Sequence, residues 1–294
     1  MEEEVNVTSI IIDSINSIFS TLFSSIDTSL YSLLDQITFV DSDLLTTSYF
    51  SHIFGSSSSN GILLIANSLI LGFLLYYAIR YLLSHLMITQ VERPASFLFK
   101  LLFFGICMNG SFWICERFLF FNSTISSLVQ ELGNNLFGSP VSFSSLLDKI
   151  QDIILIEETN FNLFSIDGIL KGFLSISFVN LAFTYSIRYV LLKVFILISP
   201  FAFLSLSSSS TAYFFKSWLK CFLSLLLIQI LVAFILLITF SIDFNTTNTL
   251  SKFLICGSIF ALLKANTIIR EFIGGISTDI SHGMANLSSM IRTQ

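Results

Sequence analysis

Between Cys221 and Ile242 the chain runs for 22 residues without one charged side chain. Nothing else in the sequence restricts the fold as much. At 1.5 Å per residue a helix of that length covers ~33 Å, enough to cross the hydrocarbon core of a bilayer. Four further apolar stretches accompany it, at Ile62–Leu83, Ser96–Phe121, Gly168–Leu206 and Leu250–Ile269. In lipid only helices and closed barrels satisfy their backbone, and a barrel strand alternates apolar with polar residues over roughly ten positions. The stretches here are continuously apolar. Of the 294 residues 54% are hydrophobic and only 11% charged, less than half the usual charge of a soluble domain. The mean hydropathy is +0.84. An all-α integral membrane protein is expected, with the lipid bilayer as its first partner.

The longest stretch poses a problem of length. Gly168–Leu206 counts 39 residues, interrupted only by Lys171, Arg188 and Lys193. As one helix it measures ~58 Å, about twice the hydrocarbon thickness, so a break is expected at the basic cluster Arg188–Lys193. The remainder of the stretch, 194–206, is 13 residues with Pro200 near its centre. That is too short to span and reads as re-entrant or interfacial. Beyond it Lys216, Trp218 and Lys220 form a basic, aromatic interface anchor. Arg188, Lys193, Pro200, Lys216, Trp218 and Lys220 are therefore the candidate re-entrant or interface segment.

The N-terminal region, 1–60, has a different character. Ile11, Ile15, Ile18, Leu22, Ile26, Leu30, Leu33 and Ile37 recur at the helical period, with Ser, Thr, Asn and Asp on the other face. This amphipathic stripe is a candidate oligomer contact. Residues 41–59 read as loop. Residues 61–270 form the polytopic domain, with an exposed, acid-rich extracytoplasmic loop over 122–166 that holds one or two short helices, and 271–294 form a cytoplasmic tail.

Charge sets the expected orientation. Residues 1–79 hold eight acids and no Lys or Arg, which also leaves no basic n-region for a secretory signal. With five spans and the N-terminus outside, ten of the 14 basic residues lie on the cytoplasmic side, with three of the 19 acids. A sixth span through 194–206 erases that bias. The expectation is five spans, N-terminus outside and C-terminus cytoplasmic.

Motifs for chemistry are missing. The three histidines stand far apart, and no HExxH, GxxxxGK[ST] or GxSxG occurs. Cys107, Cys115, Cys221 and Cys256 follow no metal or redox spacing. No carboxylate pair lies inside a span as an ion-coupled carrier needs. The sequence implies no enzyme, metal or cofactor. A permease or channel remains the competing class; its uncharged candidates are Asn67, Asn109, Asn180, Gln229 and Asn266.

Arg188-Tyr189-Val190-Leu191-Leu192-Lys193-Val194-Phe195-Ile196-Leu197-Ile198-Ser199-Pro200 is followed by Phe215-Lys216-Ser217-Trp218-Leu219-Lys220 and a long span, then by Gly257, Ala261, Ala265, Arg270 and Gly274-Gly275. Together with Gln90–Pro94 and Asn109–Glu116, this pattern resembles the TrbL family and its VirB-type relatives, polytopic membrane components of type IV secretion and conjugation systems. The resemblance covers about residues 60–275. It implies a bacterial cytoplasmic (inner) membrane subunit that assembles with copies of itself. It also implies other secretion-machine partners, ATPases among them, and transient contact with exported DNA or protein. Many family members carry a long soluble extension, whereas only 25 residues come after Ile269 here.

Overall fold

The structure is a computed structural model that describes residues 14, 17, 18, 28–55, 61–87, 93–154, 166–242, 244 and 249–273. Every element among them is helical. In chain order they are α1 (Thr28–Thr38), α2 (Asp43–Thr46), α3 (Ser48–Phe54), α4 (Ile62–Met87), α5 (Pro94–Asn109), α6 (Ser111–Phe137), α7 (Phe143–Ile154), α8 (Ile166–Ser205), α9 (Ala212–Phe240) and α10 (Thr249–Ile273). Four of these helices are long and apolar enough to cross a membrane, or five if α5 and α6 count as one bent span. The protein is an all-α, multi-pass membrane protein.

α8 is the axis of the molecule and touches α1, α4, α5, α6, α7, α9 and α10. It does not break at Arg188–Lys193, and 194–206 is not a separate segment. One helix of 40 residues, ~60 Å long, runs through Arg188 and Pro200 to Ser205. Proline removes the donor that would satisfy the carbonyl four residues back. Here that carbonyl, Ile196 O, accepts the Ser199 hydroxyl at 2.7 Å. Phe195 O accepts the Trp218 indole N–H from α9 at 2.8 Å. Side chains thus repair what the ring takes away, and the helix continues.

Three other expectations are corrected. The stretch Ser96–Phe121 is two helices, α5 and α6, bent by 56° across Gly110. Over 122–166 α7 is a short helix of the kind expected there, but the stretch before it is not exposed loop: α6 continues to Phe137 with Asn122, Ser126, Val129 and Gly133 buried. Gly138 ends α6 at φ +68, a left-handed conformation that favours glycine. A Cβ at Gly133 would collide with Val141, so the α6–α7 link folds back tightly over α6. Residues 41–59, read as loop, contain α2 and α3.

α9 returns antiparallel to α8, and α10 runs back beside it, with the Tyr185 hydroxyl donating to Leu262 O at 3.0 Å. The N-terminal helices climb along α8. Phe143, which α1 caps, lies against Tyr185 (ring centroids 6.2 Å), and Phe50 meets Lys193. Phe54 packs on Phe112 at 5.0 Å, one turn from Cys115, which lies beside Ser199. Phe54 therefore sits at the end of the bundle that carries the α8–α9 turn, although five spans place residues before α4 opposite that turn. α4 leaves this end alongside α5, through Asn67 with Asn109 and Tyr77 stacked on Phe97 at 3.9 Å. Only 6% of its apolar window is buried, so α4 presents nearly its whole surface to its surroundings.

Candidate functional site

Arg188 is the largest fully buried side chain among the described residues, at 0% exposure. It lies close to halfway along an apolar helix, where a charge is rare and marks function or a structural commitment. Its Nε donates to Leu225 O at 2.8 Å, Nη1 to Thr38 O at 2.8 Å, and Nη2 to Gln229 Oε1 at 3.3 Å. These partners come from the C-terminus of α1 and from α9. None is a carboxylate. The C-terminal end of a helix carries partial negative charge, so α1 brings to Arg188 the sign that a counter-ion would. Gln229 completes the node. Its Oε1 accepts the Val40 N–H, and its Nε2 donates to Val40 O, both at 3.2 Å.

The other side of α1 is equally committed. The two oxygens of Asp35 accept the N–H groups of Phe143 at 2.7 Å and Ser144 at 3.1 Å, and the Ser144 hydroxyl at 2.5 Å. Ser142 Oγ accepts the Ser145 N–H at 3.1 Å. The first three amides of α7 are thereby satisfied, two by a carboxylate from another helix set at the positive pole. α7 buries Phe143, Leu146 and Ile150. Its Lys149 ammonium lies over the rings of Phe240 at 4.8 Å, Phe244 at 5.5 Å and Phe137 at 5.9 Å. Phe137 and Phe240 are the last residues of α6 and α9, so this cation also meets two helix C-termini.

The predicted site residues disperse. Trp218 is no interface anchor: it is 4% exposed and packed among Phe203, Phe215 and Phe222. Arg188 is an interior group rather than a cytoplasmic charge, which leaves nine of the ten basic residues assigned to that side. Lys193 lies over Tyr189 at 4.8 Å and Phe50 at 5.9 Å. Pro200 is buried, and Lys216 and Lys220 are exposed. Of the N-terminal stripe, Ile11, Ile15, Leu22 and Ile26 lie outside the described residues. Ile18 is exposed, Leu30 and Ile37 pack on the core, and Leu33 faces out while its neighbour Leu34 is fully buried.

The permease candidates do not converge. Asn67 and Asn109 exchange amide hydrogen bonds at 3.1 and 3.2 Å, and Asn180 is exposed. Asn266 is buried with both amide atoms unpaired. An open groove of about 640 Å³ between α4 and α5 is lined by Ile70, Leu101, Leu102 and Ile106 and carries no charge. Among the described residues no group of His, Cys, Asp and Glu is placed to hold a metal ion. Sequence reasoning missed the partnership of Arg188 with Gln229, Thr38 and Leu225, and the roles of Asp35 and Lys149. One signal was present: Gln229 is the lone amide in the 22-residue uncharged stretch Cys221–Ile242. Compared with protein-family models, curated proteins and solved structures, the chain has no match.

Proposed function

We propose that this chain is a non-enzymatic structural subunit of a bacterial conjugation or type IV secretion machine, similar to the TrbL family. It sits in the cytoplasmic membrane, assembles with copies of itself and forms part of the base or conduit for exported DNA or protein. Partner ATPases supply the energy, because the chain has no P-loop.

One observation carries this reading. Of the residues on which the resemblance rests, Arg188, Ser199, Trp218 and Ala265 are all buried in one packed unit, α8 with α9 and α10. Arg188, Tyr185, Trp218 and Gln229 of that unit are engaged by one another or by backbone, while Asn266 is buried and unpaired. A permease would instead need them to converge on a solute. Lys216, Lys220 and Arg270 lie toward the ends of α9 and α10 nearest the α8–α9 turn, which supports assigning that end and the C-terminus to the cytoplasm. Keeping the N-terminus outside then requires α1–α3, which climb along α8 to Phe54, to bring the chain to that end before α4 begins.

The test uses Lys216→Gln with Lys220→Gln, both exposed, and leaves buried Trp218 alone. The expected result is normal insertion and abundance with loss of transfer or of ATPase co-purification. Normal transfer and normal co-purification overturn the contact role. Neighbouring genes give an independent check, since secretion ATPases support the reading and a solute-binding protein opposes it.

A further inference from the structure

The node at Arg188 and Gln229 touches the docked N-terminal segment through main chain alone. Arg188 takes Thr38 O, and Gln229 pairs in both directions with the N–H and C=O of Val40. The side chains of that segment are not used, and the Thr38 hydroxyl is buried without a hydrogen-bond partner. We infer that Arg188 and Gln229 form a binding site for the peptide groups at the end of a helix, that α1 is its occupant in cis, and that α1 is a strap able to lift as a unit.

The chemistry fits that ligand. The last carbonyls of a helix lack intrahelical partners and carry its negative pole. A guanidinium presents planar donors to them, and a carboxamide matches one peptide unit with one donor and one acceptor. α1 is also held by one face, with Leu34 buried and Leu30 and Ile37 packed on the core, by the cap that Asp35 makes on α7, and by the chain after it, where Phe39 meets Phe143 and Val40, Leu44 and Leu45 are buried. Ser32, Leu33 and Gln36 are exposed on its outer side. A segment held on one face and read through its backbone docks by shape and not by sequence. This inference stands apart from the secretion role, since it concerns one chain only.

The experiment uses the full chain in detergent micelles, with Cys107, Cys115, Cys221 and Cys256 replaced by serine or alanine. Leu34→Cys reports strap docking through its rate of modification by a small thiol reagent, and Leu192→Cys on α8 reports the bundle. Gln229→Leu is expected to raise the Leu34→Cys rate about tenfold, the scale set by losing buried hydrogen bonds. Leu192→Cys is expected to stay unreactive. Thr38→Val, which keeps the main chain, is expected to leave the Leu34→Cys rate within about twofold, because the lost hydroxyl had no partner. Arg188→Lys, which keeps the charge and loses the fork, is expected to release α1 as Gln229→Leu does. Unchanged protection in both Gln229→Leu and Arg188→Lys overturns the site. Release by Thr38→Val as large as by Gln229→Leu overturns main-chain reading. Exposure of both reporters together in Gln229→Leu and in Arg188→Lys overturns the strap, since the bundle then opens as one body.

Discussion

Replacing Arg188 by Met is the most informative single change. Arginine makes three hydrogen bonds in the bundle interior. Hydrogen bonds to a charged group contribute ~1.5–3 kcal/mol each, so the three together reach roughly 5–9 kcal/mol. Against that stands the desolvation of the cation, several kcal/mol even after relaxation. Methionine fills similar volume, removes the desolvation term and orphans mainly Thr38 O. Gln229 keeps its pair with Val40, and Leu225 O stays within its helix. The net loss expected is ~2–3 kcal/mol, reflecting one orphaned buried acceptor and the surplus of the lost bonds. At ~2–4 °C per kcal/mol for a chain of this order, thermal unfolding in detergent falls by about 4–12 °C. Circular dichroism at the helical band tracks the transition, and limited proteolysis shows α1 released first. A variant as stable as the parent would refute the reasoning, because the carbonyls would then gain nothing from the guanidinium.

Three further outcomes test other joints. Lys149→Gln removes the cation from three phenylalanine rings, a loss of ~1–2 kcal/mol, and should speed amide exchange across α7 while leaving α4 and α5 unchanged. Ser199→Ala leaves Ile196 O unpaired at a cost of ~1–3 kcal/mol; adding Pro200→Ala restores the backbone donor and should recover most of it, and no recovery in the double variant denies the repair. Single cysteines at Ser209 and Asn245, in the cysteine-free background, should differ toward an impermeant thiol reagent applied outside cells, with Asn245→Cys labelled and Ser209→Cys protected; labelling of Ser209→Cys reverses the proposed orientation.

How far the sequence could be read depends on what each signal encodes. Long apolar stretches announce helices, and α4, α9 and α10 stand close to where composition puts them. Partners are a different matter. Arg188 reads as an interfacial charge because a sequence displays the cation and not the helix end that meets it. Pro200 reads as a break because the missing donor is visible, whereas its repair by Ser199 needs geometry. Trp218 shares its neighbourhood with Lys216 and Lys220 in sequence, yet on α9 it turns inward and they turn out. The polar run after Phe121 hides a continuing helix because Asn122 and Ser126 are buried against the bundle rather than wetted. The stripe from Ile11 to Ile37 fits the helical period, but which of Leu33 and Leu34 faces the core depends on where α8 lies.

Three charges in this bundle follow one rule that the individual contacts obscure. Asp35 sits at the N-terminus of α7, Arg188 at the C-terminus of α1, and Lys149 beside the last residues of α6 and α9. Each side chain meets the helix pole of opposite sign, so none of the three contacts is an ion pair. The consequence separates this fold from one laced by surface salt bridges. Exposed ion pairs weaken as the Debye length shrinks from ~10 Å at 0.1 M salt to ~3 Å at 1 M, whereas fully buried contacts are screened far less. Arg188 is fully buried. The protection of Leu34→Cys should therefore change by less than about twofold between 0.1 and 1 M salt. The half-buried Lys149 contact should loosen modestly, read as faster exchange across α7. A steep rise of the Leu34→Cys rate with salt would mean that α1 is held by solvated charges, and the helix-pole account of Arg188 would fall with it.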